Sequence, residues 1–181
     1  MKKFKRFGLS LIAACSIFFC KNDVHASDFT PTHMCDVMSL DEFHEDTEEQ
    51  IEEEIVLGEI EVLAQLIEAE AGCEDYRGKC LVADVVLNRV ASDTFPDTIS
   101  GVVFESHIRK SDGVRCYQFA TVKYGTYDEA GWHISDDSFK AAYEEFYADR
   151  RIDDAILYFT AGEYNKYCKP AYKYGRHYFG L

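Results

Sequence analysis

Between residues 27 and 55 the chain has no lysine and no arginine, only 11 acidic side chains, most of them in "DEFHEDTEEQIEEE". Such a stretch has too few apolar groups to offset the entropy of ordering it. Residues 27–54 are therefore expected to form an acidic, disordered leader, helical only near residue 50 where it runs into the next segment. Tryptophan is nearly missing, with one copy against 12 Tyr and 13 Phe. Packing must rest on those two ring types, and tyrosines line clefts for polar ligands as readily as they fill cores. No C-x-x-C and no H-x-x-x-H spacing occurs, so the usual zinc patterns are missing, and neither metal nor organic cofactor is expected. No internal repeat is present, which excludes a solenoid. A net charge of −14 argues against nucleic acid as a partner.

What is present begins with an address. "MKKFKRFGLSLIAACSIFFC" joins a basic start to an apolar run from Phe7 to Cys20, short for a membrane span, and "KNDVHAS" follows with a small-x-small cleavage pattern at Ala26. Residues 1–26 read as a secretory signal peptide. "LIAAC" offers a second reading, a lipoprotein signal with Cys15 as the lipidated residue, and the membrane is a partner only in that case. Export leaves Cys35, Cys73, Cys80, Cys116 and Cys168 in the mature chain, an odd number. Cys73 and Cys80 flank a turn between two helices, a separation that can close a local disulfide in an oxidising compartment.

Residues 55–181 are long enough for one domain, and residues 56–181 carry 21 acidic and 14 basic residues, far milder than the leader. A helix is expected over 50–71, closed by Gly72 in the left-handed conformation, and a second over 76–91 with Asp75 as cap. "TFPDTISGVVF" supplies Pro96 as punctuation and Thr98 as cap of a short third helix. Residues 107–132 read as irregular. "DDSFKAAYEEFYAD" is a fourth helix with Phe139, Tyr143, Phe146 and Tyr147 expected inside. "AILYFT" and "KYGRHYFGL" are strand-like runs. Helices followed by a small strand region indicate an α+β fold, a mainly helical lobe with a small β region.

Within the first helix Ile60, Leu63, Ala64 and Ile67 mark one face, and Glu70 continues that stripe. Glu59, Glu61 and Glu68 fall off it and read as solvated charges. A carboxyl on a half-buried face loses hydration, and in the last turn of a helix it also meets the negative end of the macrodipole. Both effects disfavour its ionisation, as a general acid that cleaves an acetal requires.

"EAGCEDYRGKCLVADVVLNRV", followed by "FPDTISGVVF", "QFATV", "AILYFTAGEYNKY" and "KYGRHYF", resembles the SleB-type cell wall hydrolase family over about residues 57–181. The family signature runs close to E-A-R-G-E-x-Y-x-G-x-x-x-V-x-x-V-x-L-N-R-V. The resemblance implies a secreted peptidoglycan glycosidase with a lysozyme- or lytic-transglycosylase-like fold, acting in the cell wall or spore envelope on glycan strands. The family's essential acid falls on Glu70. Gly72 and Cys73 replace the signature's Arg and Gly, Arg176 stands where Asn is usual, and "ESHIRKSDGVRCY" is an insertion.

No second carboxylate has a comparable position. Glu74 is expected to fix the turn, and Asp84 and Asp97 read as surface residues. One carboxyl suffices if N-acetylmuramic acid supplies its own C6 hydroxyl as nucleophile, whereas water in that role gives hydrolysis. Gln118, Thr121, Tyr158 and His177 are the expected substrate-contacting residues, with a structural role open for each. Two other classes stay open: a non-catalytic peptidoglycan-binding protein of the same fold, and a cysteine peptidase pairing Cys116 or Cys73 with His133 or His177.

Overall fold

The computed structural model describes residues 47–149 and 152–181. Residues 1–26, expected to be a signal peptide, with Cys15, and residues 27–46 of the expected leader, with Cys35, lie outside the described residues. Helix α1 (Glu48–Ala71) begins two residues before the expected position, at a capping box in which Gln50 N donates to Thr47 Oγ1 and Thr47 N to Gln50 Oε1. Glu48 and Glu49 in its first turn complement the helix dipole. Its exposed acidic start gives way to the stripe, where Ile60, Leu63, Ala64 and Ile67 are fully buried.

Helix α2 (Tyr76–Ala91) is capped by Asp75, which accepts from Gly78 N at 2.9 Å. All its positions from Gly78 to Val90 are buried, as expected of a helix covered on every side. Helix α3 (Ile99–Val103) starts at Thr98, whose hydroxyl accepts from Gly101 N. The region expected to be irregular instead holds an antiparallel hairpin, β1 (Ser106–Ile108) and β2 (Arg115–Tyr117), and two short helices, α4 (Ala120–Tyr124) and α5 (Thr126–Ala130). Each is three to five residues long, too short for periodicity to register. Helix α6 (Asp136–Tyr147) packs on α1 and α2. The chain closes with β3 (Tyr158–Ala161), β4 (Pro170–Tyr174) and β5 (His177–Gly180) in one antiparallel sheet of order β3-β5-β4. The fold is α+β. Among the described residues no helix is long and apolar enough to cross a membrane.

Several expectations are corrected by packing. In α6 the buried face is Ser138, Ala141 and Ala142, while Phe139, Tyr143 and Tyr147 are exposed and only Phe146 packs partly on the core. Small side chains let α6 approach α1 and α2 closely, and the larger rings turn outward to pack on one another, as Tyr143 does on Tyr147. Gly72 is right-handed (φ −55°) and not left-handed. A Cβ there would lie 2.6 Å from the Glu68 carbonyl oxygen, so the position is kept narrow by close approach. Glu59 is not a solvated charge either, since it accepts from Ser100 N and Oγ.

Glu68 departs furthest from its expected role. One of its oxygens accepts from Ser135 N, Ser135 Oγ, Ser138 Oγ and the buried Lys79 Nζ, tying the start of α6 to α1 and α2. Burial opposes its ionisation, but the serine hydrogen bonds and the Lys79 charge prevail and lower the carboxyl to about 2. A depressed folded-state value adds stability that is complete above the ordinary value of 4.5 and lost as pH falls through about 2. In urea unfolding across pH, wild type should exceed Glu68→Gln by a constant margin above pH 4.5, and the margin should shrink between 4.5 and 2. A margin independent of pH would show that the charge plays no part.

Asp84 is buried, not on the surface. Loss of hydration, then the charge of Glu145 across the α2–α6 contact, raise its carboxyl to about 7. Cys73 and Cys80 are not joined: Cys73 is exposed in the turn, whereas Cys80 is buried facing Tyr76 and Glu145. Cys80 lies on the α2 surface that meets α6, so its sulfur points away from the turn. Burial pushes its thiol up to about 12, which leaves it inert. Iodoacetamide mapping of the native protein should label Cys73 quickly and Cys80 only after unfolding. Neither thiol reacting before reduction would instead indicate the bridge.

Candidate active site

Glu70 is half-buried in the last turn of α1, next to the fully packed Ala71. Thr121 Oγ1 in α4 donates to Glu70 Oε1 at 2.6 Å. Helix α4 reaches that point because Phe119, just before it, is buried against the Phe159 ring of β3 and under the Arg89 guanidinium. Acid and donor are 51 positions apart, with two helices and a hairpin between them, so tertiary packing alone makes this contact.

The β4–β5 turn supplies the opposite side. Arg176 N donates to Glu74 Oε1 at 3.1 Å, and the Tyr174 hydroxyl donates to both oxygens of Asp75. Glu74 and Asp75 thereby bolt the terminal hairpin to the α1–α2 turn. Gly175, at φ +53°, is required there because a Cβ would lie 1.8 Å from Glu74 Oε2. Two residues on, His177 is buried against Phe159 and Phe179 and meets the Glu70 backbone. Burial lowers its pKa below 6.5, outweighing the carboxylates of Glu74 and Glu70, so the ring is neutral near neutral pH.

Behind these residues lies Arg89, the buried arginine of the N-R-V run in α2. Its Nε donates to Leu157 O at 2.7 Å, and its guanidinium lies 5.0 Å from the Phe95 and Phe119 rings and 5.7 Å from Tyr158. Burial lowers it to about 10, and the charges that oppose this include Glu105 and Glu70. Glu105, which was read as part of an insertion, has one buried oxygen without a hydrogen-bond partner, as does Arg89 Nη1. Gln118 N donates to the Glu105 carbonyl at 3.1 Å, while the Gln118 side chain makes no hydrogen bond among the described residues. Asn88 is structural, donating to the carbonyls of Asp153 and Ile156.

The structure thus brings Thr121 and His177 to Glu70, connects Tyr158 through Arg89, and sets Gln118 beside Glu105. No group of three or more His, Cys, Asp or Glu poised for a metal is found among the described residues. Chemically the site offers one carboxyl held by a hydroxyl donor, with the neighbouring Glu74 committed to a turn.

A helical lobe carrying an acid at the end of its buried helix, backed by a small antiparallel sheet, defines a lysozyme-like α+β protein. The chain belongs to the cell wall hydrolase family, whose model, described as Cell Wall Hydrolase, matches residues 73–180, starting three residues after Glu70. Over 47 residues it is 51% identical to a spore cortex-lytic enzyme of Halalkalibacterium halodurans and 45% to that of Bacillus subtilis, or 26% of this chain in each case. The matched stretch spans only 14% and 15% of those two relatives' lengths. The catalytic domain of the germination-specific lytic transglycosylase SleB from Bacillus anthracis superimposes with a TM-score of 0.53 at 26% identity, covering 68% of this chain and 93% of that one. The catalytic domain of the Bacillus cereus SleB protein gives 0.53 and 26%, covering 69% and 91%.

Proposed function

We propose that this protein is a secreted peptidoglycan glycosidase that cleaves the bond between N-acetylmuramic acid and N-acetylglucosamine as a lytic transglycosylase. The observation that supports the reading is the contrast between the two acids at the α1–α2 turn: Glu70 is held only by Thr121 Oγ1 at 2.6 Å among the described residues, while Glu74 is committed to Arg176 N in the hairpin turn. A conventional glycosidase needs two carboxyls flanking the bond. With one, the substrate must supply the second function.

Glu70 gives its proton to the glycosidic oxygen, the C1–O bond breaks, and N-acetylglucosamine leaves as an alcohol. The 2-acetamido group stabilises the charge at C1. The C6 hydroxyl of the same muramic acid then attacks C1, and ionised Glu70 takes its proton, closing an anhydro ring and restoring the acid. Thr121 orients the carboxyl, and neutral His177 holds the end of α1 against the sheet. Gln118 and Tyr158 are the residues of this group that reach substrate. The likeness to spore cortex-lytic enzymes supports a cortex or wall substrate, and the site of action is the cell wall or spore envelope.

Mass spectrometry of fragments released from purified sacculi tests the reading. Muropeptides one water lighter than their reducing counterparts, with anhydromuramic ends, are the expected products. Reducing muramic ends would make the protein a hydrolytic muramidase, and release of nothing by folded protein would leave a binding module of the same fold.

A further inference from the structure

We infer that the outward face of the terminal sheet, the face carrying Tyr178 and Lys173, is a docking strip for the peptide stems of the strand cleaved at Glu70. This rests on the peptidoglycan reading above. The register sets Thr160 of β3, Tyr178 of β5 and Lys173 of β4 in one cross-strand row. Side chains alternate along a strand, so this row lies on the side opposite Phe159, Phe179 and Tyr172, which pack into the core. The same alternation puts Tyr158 on the side of Thr160. Because Tyr158 faces Arg89, the row runs on from the site.

The composition of the strip fits a polymer that presents both sugars and carboxylates. Lys173 Nζ lies 5.1 Å from the Tyr178 ring, Tyr164 packs edge-on to Tyr178 at 4.9 Å, and Lys166 Nζ lies 4.9 Å from the ring of Tyr167, which is 84% exposed. Neither lysine is in an ion pair among the described residues. Residues 164–181 carry four basic side chains and no acid, whereas residues 56–163 carry 21 acidic and 10 basic ones. Glu163 is the one carboxylate of the β3–β4 loop, and its carbonyl accepts from Thr160 Oγ1. Uncompensated cations beside exposed ring faces, on a domain that is otherwise acidic, select an anionic saccharide surface. A glycan strand seated at Glu70 brings peptide stems, with their free carboxylates, to this face.

The test separates docking from cleavage by using the full chain with Glu70→Gln, which holds sacculi without digesting them. Adding Lys166→Gln and Lys173→Gln should weaken sedimentation with intact sacculi about tenfold at low salt, with a shallower salt dependence, since two exposed charge contacts are removed and such contacts are screened by salt. On sacculi stripped of stem peptides by an amidase, the two proteins should bind alike. Equal binding to intact sacculi, or a difference that persists on stripped sacculi, overturns the proposal. A difference abolished by prior extraction of teichoic acid also overturns it, because phosphate would then be the anion. If wild-type protein releases no muropeptide while the lysine effect is present, the cleavage reading fails and the docking strip stands.

Discussion

Glu70→Gln should leave the protein folded and reduce release of muropeptides by roughly a hundredfold or more, the loss expected of a group that is both acid and base. The amide keeps the size of the carboxyl, and its carbonyl oxygen can still accept from Thr121 Oγ1, so the contact that fixes α4 against α1 survives. Only the titratable acid function is lost. Unchanged circular dichroism and Tm together with lost activity is the result that assigns the role, and a folded variant that digests sacculi at the wild-type rate would remove it. Thr121→Val, which deletes the donor and keeps the shape, should cost about tenfold, since one hydrogen bond contributes roughly 0.5–1.5 kcal/mol and substrate groups can partly replace it. Glu74→Gln should cost far less than either, because its amide oxygen can still accept from Arg176 N.

Gly175→Ala should be the most destabilising small substitution in the terminal hairpin, by about 2–4 kcal/mol, combining left-handed backbone strain with a steric overlap. The new methyl would lie 1.8 Å from Glu74 Oε2, so either the carboxylate or the turn must move. Gly162→Ala is the matched control. That residue also has a positive φ, +89°, but no atom lies within 4 Å of its added Cβ, so only the backbone term of roughly 1 kcal/mol remains. Urea unfolding of the two variants should differ by the steric part. Pairing Gly175→Ala with Glu74→Ala should recover that part, and a double-mutant cycle with no coupling would show that the overlap is relieved elsewhere. Because His177 follows two residues later and meets the Glu70 backbone, Gly175→Ala should also lower activity more than its stability loss accounts for.

Much of this protein was legible along the chain. The spacing of Ile60, Leu63, Ala64 and Ile67 identified the buried face of α1, and all four are fully covered. Asp75 and Thr98 cap the helices they were expected to cap, and α2 has the expected bounds. These are local effects: a 3.6-residue period and a hydroxyl or carboxylate within reach of the next turn's N–H groups need no distant partner. Glu70 was singled out by the same period and by the family signature together.

What the chain could not reveal depends on which surfaces meet. The aromatic residues of α6 suggested an inner face, but the narrow space beside α1 and α2 selects Ser138, Ala141 and Ala142. Glu68 read as solvated because periodicity cannot see Ser135, Ser138 and Lys79 converging on it from two other helices. Cys73 and Cys80 are near in sequence, yet the rotation of α2 sends Cys80 toward α6. The sequence by itself determined α1, α2, α3 and α6, the caps Asp75 and Thr98 and the place of Glu70 at the end of α1, because those follow from interactions within a few residues. Only the tertiary structure decided that Thr121 donates to Glu70 from 51 positions away, that the partner of Glu74 is Arg176 N in the terminal hairpin, and that Arg89 lies behind the acid among three rings. Those contacts arise where separate elements close on one core, and the separation in sequence carries no record of the distance in space.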